Sequence, residues 1–266
     1  MSDAGLFAYG FAAAAFLGFA LHLALGWRGG IKASMLLAAV ALSGAWTGAN
    51  YAFELTGAPA WWTAQAGLDA LRAAAWLAFL GVALRGTRVD LAGVALLMLP
   101  LAAWLLYPHT PQGGSRAGFF ALIAASVAGL VLAEQLYRRA LEGARWAVKP
   151  LCLGLGAGLV FDLYLFADAL LFGRIDAGVW AARGFVHALA IPLIALATVR
   201  NKDWTIDIAL SRGVVFHSTA FLACGIYLLA VAAAGYYVRY FGGSWGKTLQ
   251  VGFIFAALLV LGWLFS

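Results

Sequence analysis

Apolar runs about twenty residues long alternate with short polar breaks along the whole chain, without the three-and-four spacing that marks a one-sided soluble helix. Runs at 6–26, 33–53, 67–84, 91–107, 117–137, 151–172, 178–199, 214–238 and 248–265 are candidates to cross about 30 Å of hydrocarbon at about 1.5 Å per residue. The fourth and ninth are short, so eight spans is the fallback count. The pattern predicts an all-α, polytopic transmembrane helix bundle of about nine spans, forming one domain over 1–266.

Composition narrows the class further. Of 266 residues, 65% are hydrophobic and only 11% charged, too few charges to cover a soluble surface of that size. The net charge of +6 raises the question of nucleic acid. No basic block or base-stacking module is present, and the Lys and Arg residues stand singly or in pairs between the spans, as topology signals do. Eleven of them, Arg28, Lys32, Arg85, Arg88, Arg138, Arg139, Arg145, Lys149, Arg200, Lys202 and Arg212, fall in one set of loops. Six fall in the other: Arg72, Arg116, Arg174, Arg183, Arg239 and Lys247. This asymmetry places the N-terminus outside and the C-terminus inside. Trp61, Trp62, Tyr107, Trp180, Tyr236, Tyr237, Tyr240 and Trp245 then lie at outer ends, where amphipathic rings favour the headgroup layer.

Residues 1–5 lack the positive region of a secretory signal, so 6–26 reads as a retained span. At the other end, the chain stops at Ser266 directly after Leu264 and Phe265, which reads as a truncated end. The loop 200–212 is long enough for an interfacial segment carrying Trp204. Cys152 and Cys224 both fall inside apolar spans, where thiols act as small hydrophobes and no disulfide framework is expected.

Against this background the ionisable residues inside spans stand out, because each costs about 2.5–3.5 kcal/mol to insert. Four lie in the hairpin 151–199: Asp162, Asp168, Arg183 and His187. Counted from the outer ends, Asp162 and His187 both fall roughly 14–15 Å deep, and Asp168 and Arg183 roughly 6–8 Å deep. Two rungs across the hairpin are therefore expected, one pairing Asp162 with His187 and one pairing Asp168 with Arg183. Helical rotation limits this, since six residues turn Asp168 some 120° away from Asp162, whereas Arg183 and His187 share a face. Asp162 also shares a face with Gly154 and Gly158, a spacing that brings a neighbouring backbone close.

Other polar residues collect at the same end: Asn50 and Glu54 at the close of the second span, Asp69 and Arg72 at the start of the third. Two readings stay open. They are pairs that tie helices together or reach for headgroups, or they line a ligand-responsive, signal-coupling pocket together with the hairpin residues. His22 lies on the stripe Gly10, Ala14, Gly18 and Gly26, read as a close-packing face around a core histidine. Glu134 and Arg138 read as a local ion pair. The run 154–158 imitates a nucleotide loop but lies within a span and has no preceding strand, which makes it a packing feature. None of His22, His109, His187 and His217 is spaced from another His or a Cys as metal ligands are, and no nucleophile elbow, P-loop or zinc-protease helix occurs. No catalytic or metal site is expected in this chain.

Several runs in the second half are nonetheless familiar. Asp162-Leu163-Tyr164-Leu165-Phe166-Ala167-Asp168-Ala169-Leu170-Leu171-Phe172 is one, and Trp180-Ala181-Ala182-Arg183-Gly184 another. Arg200-Asn201 with Trp204, Asp207 and Ser211-Arg212 follows, then Val214-Val215-Phe216-His217 and the aromatic run 233–246. Together they resemble the membrane region of the PrsK family, the PEP-CTERM/exosortase-associated sensor histidine kinases. The likeness covers roughly the last hundred residues and is compositional before them.

The resemblance implies that the parent protein is a histidine kinase using ATP and Mg in domains beyond this chain, and that this chain is its sensory input region, with no cofactor of its own. It implies a bacterial inner membrane, a homodimer, and a response-regulator partner acting on exopolysaccharide and protein-sorting genes. His217 lacks the acidic and Arg context of a phosphoacceptor. The alternative from another class is a small transporter or channel that uses buried acids. Pro192 interrupts the seventh span, but no matching inverted half is visible. An intramembrane enzyme is the third reading, opposed by the missing catalytic cluster.

Overall fold

The computed structural model describes residues 3–26, 30–85, 97–102, 104 and 116–201. Six long helices account for most of them: α1 Asp3–Leu25, α2 Ile31–Thr56, α3 Pro59–Arg85, α4 Arg116–Arg139, α5 Glu142–Phe172 and α6 Ala177–Arg200. All six are long and apolar enough to cross a membrane, and no strand occurs among the described residues. In a medium without water, helices satisfy their backbone groups internally, which is why near-continuous apolar runs fold this way. Residues 97–102 and 104, inside the expected fourth span, are helical as well. The expected eighth and ninth spans, with Cys224, His217 and the aromatic run 233–246, lie outside the described residues, as do His109, Tyr107 and Trp204.

Local chemistry fixes the turns. Gly57 closes α2 in the left-handed conformation (φ 65°), its N–H bonded to the Phe53 carbonyl at 2.8 Å, and Gly173 closes α5 in the same way. Asp176 then caps α6, accepting from the N–H groups of Gly178 and Val179 at 2.9 and 3.0 Å. The α5–α6 connection is the tight hairpin expected from the sequence.

Each helix packs on its chain neighbours, and α1 closes on α6, so the six form a ring; the α3–α4 seam is the most sparsely packed. One half of the interior is aliphatic and aromatic, around Phe16, Leu36, Phe79, Leu136, Leu151 and Ile194. The half nearer the α5–α6 turn is dominated by rings, including Tyr9, Trp46, Trp62, Phe166 and Trp180.

Four expectations are corrected. The third span begins at Pro59 rather than residue 67, since proline is preorganised for a first helical turn. The sixth begins at Glu142, nine residues early, with Pro150 inside it. A proline there leaves the Trp146 carbonyl without its helical donor. Arg200 donates to that oxygen at 2.9 Å and Asn201 to the Ala147 oxygen at 3.1 Å, so the end of α6 repairs the start of α5.

The stripe Ala14, Gly18, His22 and Gly26 faces outward, so His22 is not a core histidine; α1 buries Tyr9, Phe16 and Phe19 instead. Small apolar residues face lipid at no cost, whereas the Tyr9 hydroxyl needs an acceptor and finds the Trp180 carbonyl at 2.7 Å. That bond selects the buried face. Trp62 and Trp180, expected at the headgroups, are likewise buried in the ring-rich half, while Trp61 is exposed.

Candidate functional site

Where the two halves of the interior meet, five ionisable side chains from three helices converge: Asp69 and Arg72 of α3, Asp162 of α5, Arg183 and His187 of α6. All are at most 7% exposed. Asp69 Oδ1 accepts from Arg72 Nε (3.0 Å), Arg72 Nη2 (2.6 Å) and Arg183 Nη2 (3.2 Å), and its Oδ2 accepts from Arg183 Nη1 at 2.7 Å. Asp162 Oδ1 accepts from Arg183 Nε at 2.6 Å, and its Oδ2 from Arg72 Nη2 at 3.2 Å and Arg183 Nη2 at 3.1 Å. His187 Nε2 sits 3.1 Å from Asp162 Oδ1, and its Nδ1 sits 3.4 Å from Arg72 Nη1. A guanidinium only donates, so Nδ1 must present its lone pair and the proton rides on Nε2, donated to Asp162.

The balance of charge explains how such a site tolerates burial. Two carboxylates face two guanidiniums, and the imidazole in this tautomer is neutral. Each carboxylate fills four acceptor positions with charge-assisted bonds, which offsets a desolvation cost of several kcal/mol per ion.

Trp46 of α2 closes one side. Its ring centroid lies 4.2 Å from Arg72 Cζ and 4.6 Å from Arg183 Cζ, and 5.3 Å from the His187 ring. Cation–π attraction therefore adds to both arginines, and the Tyr9 ring meets the indole nearly at right angles, 5.8 Å between centroids. On the α5–α6 face the backbones approach at Gly154 and Gly158. A Cβ at Gly154 would lie 3.0 Å from the Ala190 carbonyl oxygen, and one at Gly158 would lie 2.9 Å from His187 Cε1. The expected close-packing pair is there, and it is what lets His187 reach Asp162.

The eight residues singled out in the sequence separate into two groups. Asp69, Arg72, Asp162, Arg183 and His187 form the network. Asn50 is fully buried one turn beyond Trp46 and donates to its carbonyl at 2.9 Å, with its Oδ1 lacking a protein partner. Glu54 is half-buried a further turn along and takes no part in the network. Asp168 is also outside it, and the expected Asp168–Arg183 rung does not form. Arg183 swings to Asp162 and Asp69, where two carboxylates replace one, and the rotation between Asp162 and Asp168 turns the latter away. The Asp162–His187 rung is as expected, and so is the Glu134–Arg138 pair at 3.3 Å.

Trp46 was not singled out. A signal existed: Ser43, Trp46, Thr47 and Asn50 lie on one face of α2, a polar stripe in a span that marks the inward side.

A cavity of about 50 Å³ borders the network, lined by all five ionisable residues and by apolar walls including Trp76, Leu77, Leu80, Leu155 and Ile194. A second, of about 20 Å³, lies on the other side of Asp69; there Gln65 Oε1 and Trp180 Nε1 have no protein partner. Such atoms call for a hydrogen-bonding occupant. No family model, curated protein or solved structure matches the chain.

Proposed function

We propose that this chain is the membrane-embedded input region of a two-component sensor histidine kinase, relaying a membrane or extracytoplasmic signal to a cytoplasmic kinase. One observation carries the reading. The network joins α3 to α5 and α6, which are not its neighbours in the ring, so these buried ion pairs, with the Trp62–Trp180 contact beyond them, tie three helices together. A ligand or membrane change that favours one arrangement of those contacts shifts all three helices together, which is what a two-state sensor requires. The runs that carry the resemblance to the PrsK family also supply Asp162, Trp180 and Arg183 to this site.

The finer topology belongs to the same proposal: nine spans in a bacterial inner membrane, N-terminus outside, C-terminus cytoplasmic. Arg72 and Arg183 are buried in the network and leave the loop count, so the bias of positive charge becomes eleven against four. A homodimer and a response regulator complete the assembly, with ATP and Mg bound by the kinase domains.

The test uses the full-length protein in membrane vesicles. Arg183→Gln and Asp69→Asn are expected to change signal-dependent autophosphorylation, locking it high or low. Unchanged output from both overturns the proposal. A transporter using buried acids is not favoured, since the two guanidiniums already neutralise both carboxylates.

A further inference from the structure

We infer that the central cavity is a binding site for a neutral amphipathic molecule that presents a carbonyl-type oxygen to Arg72 and Arg183 and lays its apolar body against α3, α5 and α6. The inference deepens the sensor reading by naming the class of ligand, and rests on it only for the consequence of binding.

Three observations converge. The first is a donor surplus. Arg72 Nη1 donates one of its two protons, to His187, and Arg183 Nη1 donates one, to Asp69; beyond these and the Nε and Nη2 bonds given above, neither arginine makes a hydrogen bond among the described residues. Each thus keeps one N–H without a protein acceptor among the described residues, in residues at most 5% exposed that line the cavity. A guanidinium cannot accept, so the complementary group is an acceptor.

The second is charge. The network is already neutral, and both carboxylates border the same cavity. A carboxylate or phosphate ligand adds an uncompensated negative charge beside two others at low dielectric, which disfavours an anion. A neutral carbonyl oxygen takes the spare N–H groups without that penalty.

The third is the wall. Beyond the charged end the lining includes Phe16, Trp76, Leu77, Leu80, Leu155 and Ile194, and among the described residues Ser126 is its one uncharged side chain with a hydroxyl or amide. The volume of about 50 Å³ is room for roughly three or four waters, enough for a small polar head. The cavity reaches the sparsely packed α3–α4 seam, with Ala73 on one side and Ala125 on the other.

The test uses the purified whole chain in detergent micelles, without any kinase, and 2-undecanone labelled with carbon-13 at the carbonyl. Infrared spectra are expected to show, beside the band of micellar ketone, a second band at lower frequency that saturates with added ketone. Displacement of that band is expected to rank 2-undecanone about tenfold or more above n-undecane, as a hydrogen bond to a charged donor predicts, and above undecanoate. Ala125→Leu and Ala73→Leu, which fill the cavity from opposite sides of the seam, are expected to abolish the band while circular dichroism stays helical.

Competition by a phosphatidylcholine would identify bilayer ester carbonyls as the source. Its failure to compete would identify a free molecule of the same class. A missing shifted band, one that persists in both filled variants, or tighter binding of undecanoate overturns the inference. Because no kinase is present, that result leaves the sensor reading to its own test, and unchanged autophosphorylation in Arg183→Gln leaves the binding site standing.

Discussion

Arg183 Nη1 lies 2.7 Å from Asp69 Oδ2, although the two residues are 114 apart in sequence and their helices are not neighbours in the ring. The same guanidinium holds Asp162 through Nε at 2.6 Å, so one fully buried side chain clamps two carboxylates on two helices. Removing it leaves two buried carboxylates to the single guanidinium of Arg72. Arg183→Gln is expected to lower stability by about 3–5 kcal/mol, read as a drop in thermal midpoint in detergent. Adding Asp69→Asn to Arg183→Gln should recover part of that loss, because the excess negative charge is gone. A double variant as unstable as the sum of the singles contradicts the clamp.

Asp162 and Asp168 look alike in the sequence, yet only Asp162 is tied into the network. Asp162→Asn should cost several kcal/mol, since both guanidiniums and His187 lose an ionised partner. Asp168→Asn removes a buried carboxylate that has no place in the network, and should leave stability unchanged or raise it. Comparable losses in parallel thermal scans would contradict the placement of the two acids.

Gly158 faces the His187 ring, and a methyl group added there would lie 2.9 Å from Cε1. His187 is held by partners at both ring nitrogens and has little freedom to move aside. Gly158→Ala is expected to cost about 1–3 kcal/mol from overpacking and to loosen the Asp162–His187 bond. Imidazole nitrogen-15 shifts would report the second effect independently of stability.

Trp46 presents one ring to two guanidiniums. Trp46→Ala should cost about 3–5 kcal/mol for the lost packing, with the cation–π part on top. Trp46→Phe keeps a ring face and should lose clearly less. If the two variants lose the same stability, the indole is acting as bulk alone.

Arg200 repairs the carbonyl that Pro150 leaves open. Arg200→Ala should cost about 0.5–1 kcal/mol and speed amide exchange in the first two turns of α5. Unaltered exchange there would mean that solvent serves the carbonyl equally well.

Much of this was legible along the chain. Asp162, Arg183, His187, Asp69 and Arg72 announce themselves because an ionisable residue in a span needs a partner. The hairpin 173–176 follows from a glycine that tolerates positive φ and an aspartate that caps. Depth counting brought Asp162 level with His187, and the Gly154–Gly158 spacing pointed to the helix contact that joins them. What depth counting cannot supply is azimuth relative to helices distant in sequence. Arg183 is nearer in level to Asp168, yet it bonds Asp69 of α3, which a two-helix picture omits. The same gap placed His22 inside and Trp62 and Trp180 at the headgroups.

The sequence by itself determined that the chain forms apolar membrane-length helices, where several of them turn, and which side chains could not be left alone in hydrocarbon. Those are local properties, governed by run length, glycine and capping chemistry, and the cost of an unpaired charge. Only the tertiary structure decided which charge meets which, which face of α1 is buried, and that a tryptophan from an unremarked stretch of α2 covers both arginines. The reason is physical. Lipid is as apolar as the bundle interior, so hydrophobicity does not orient a helix about its axis, and orientation is left to the few polar groups that must find one another across the ring.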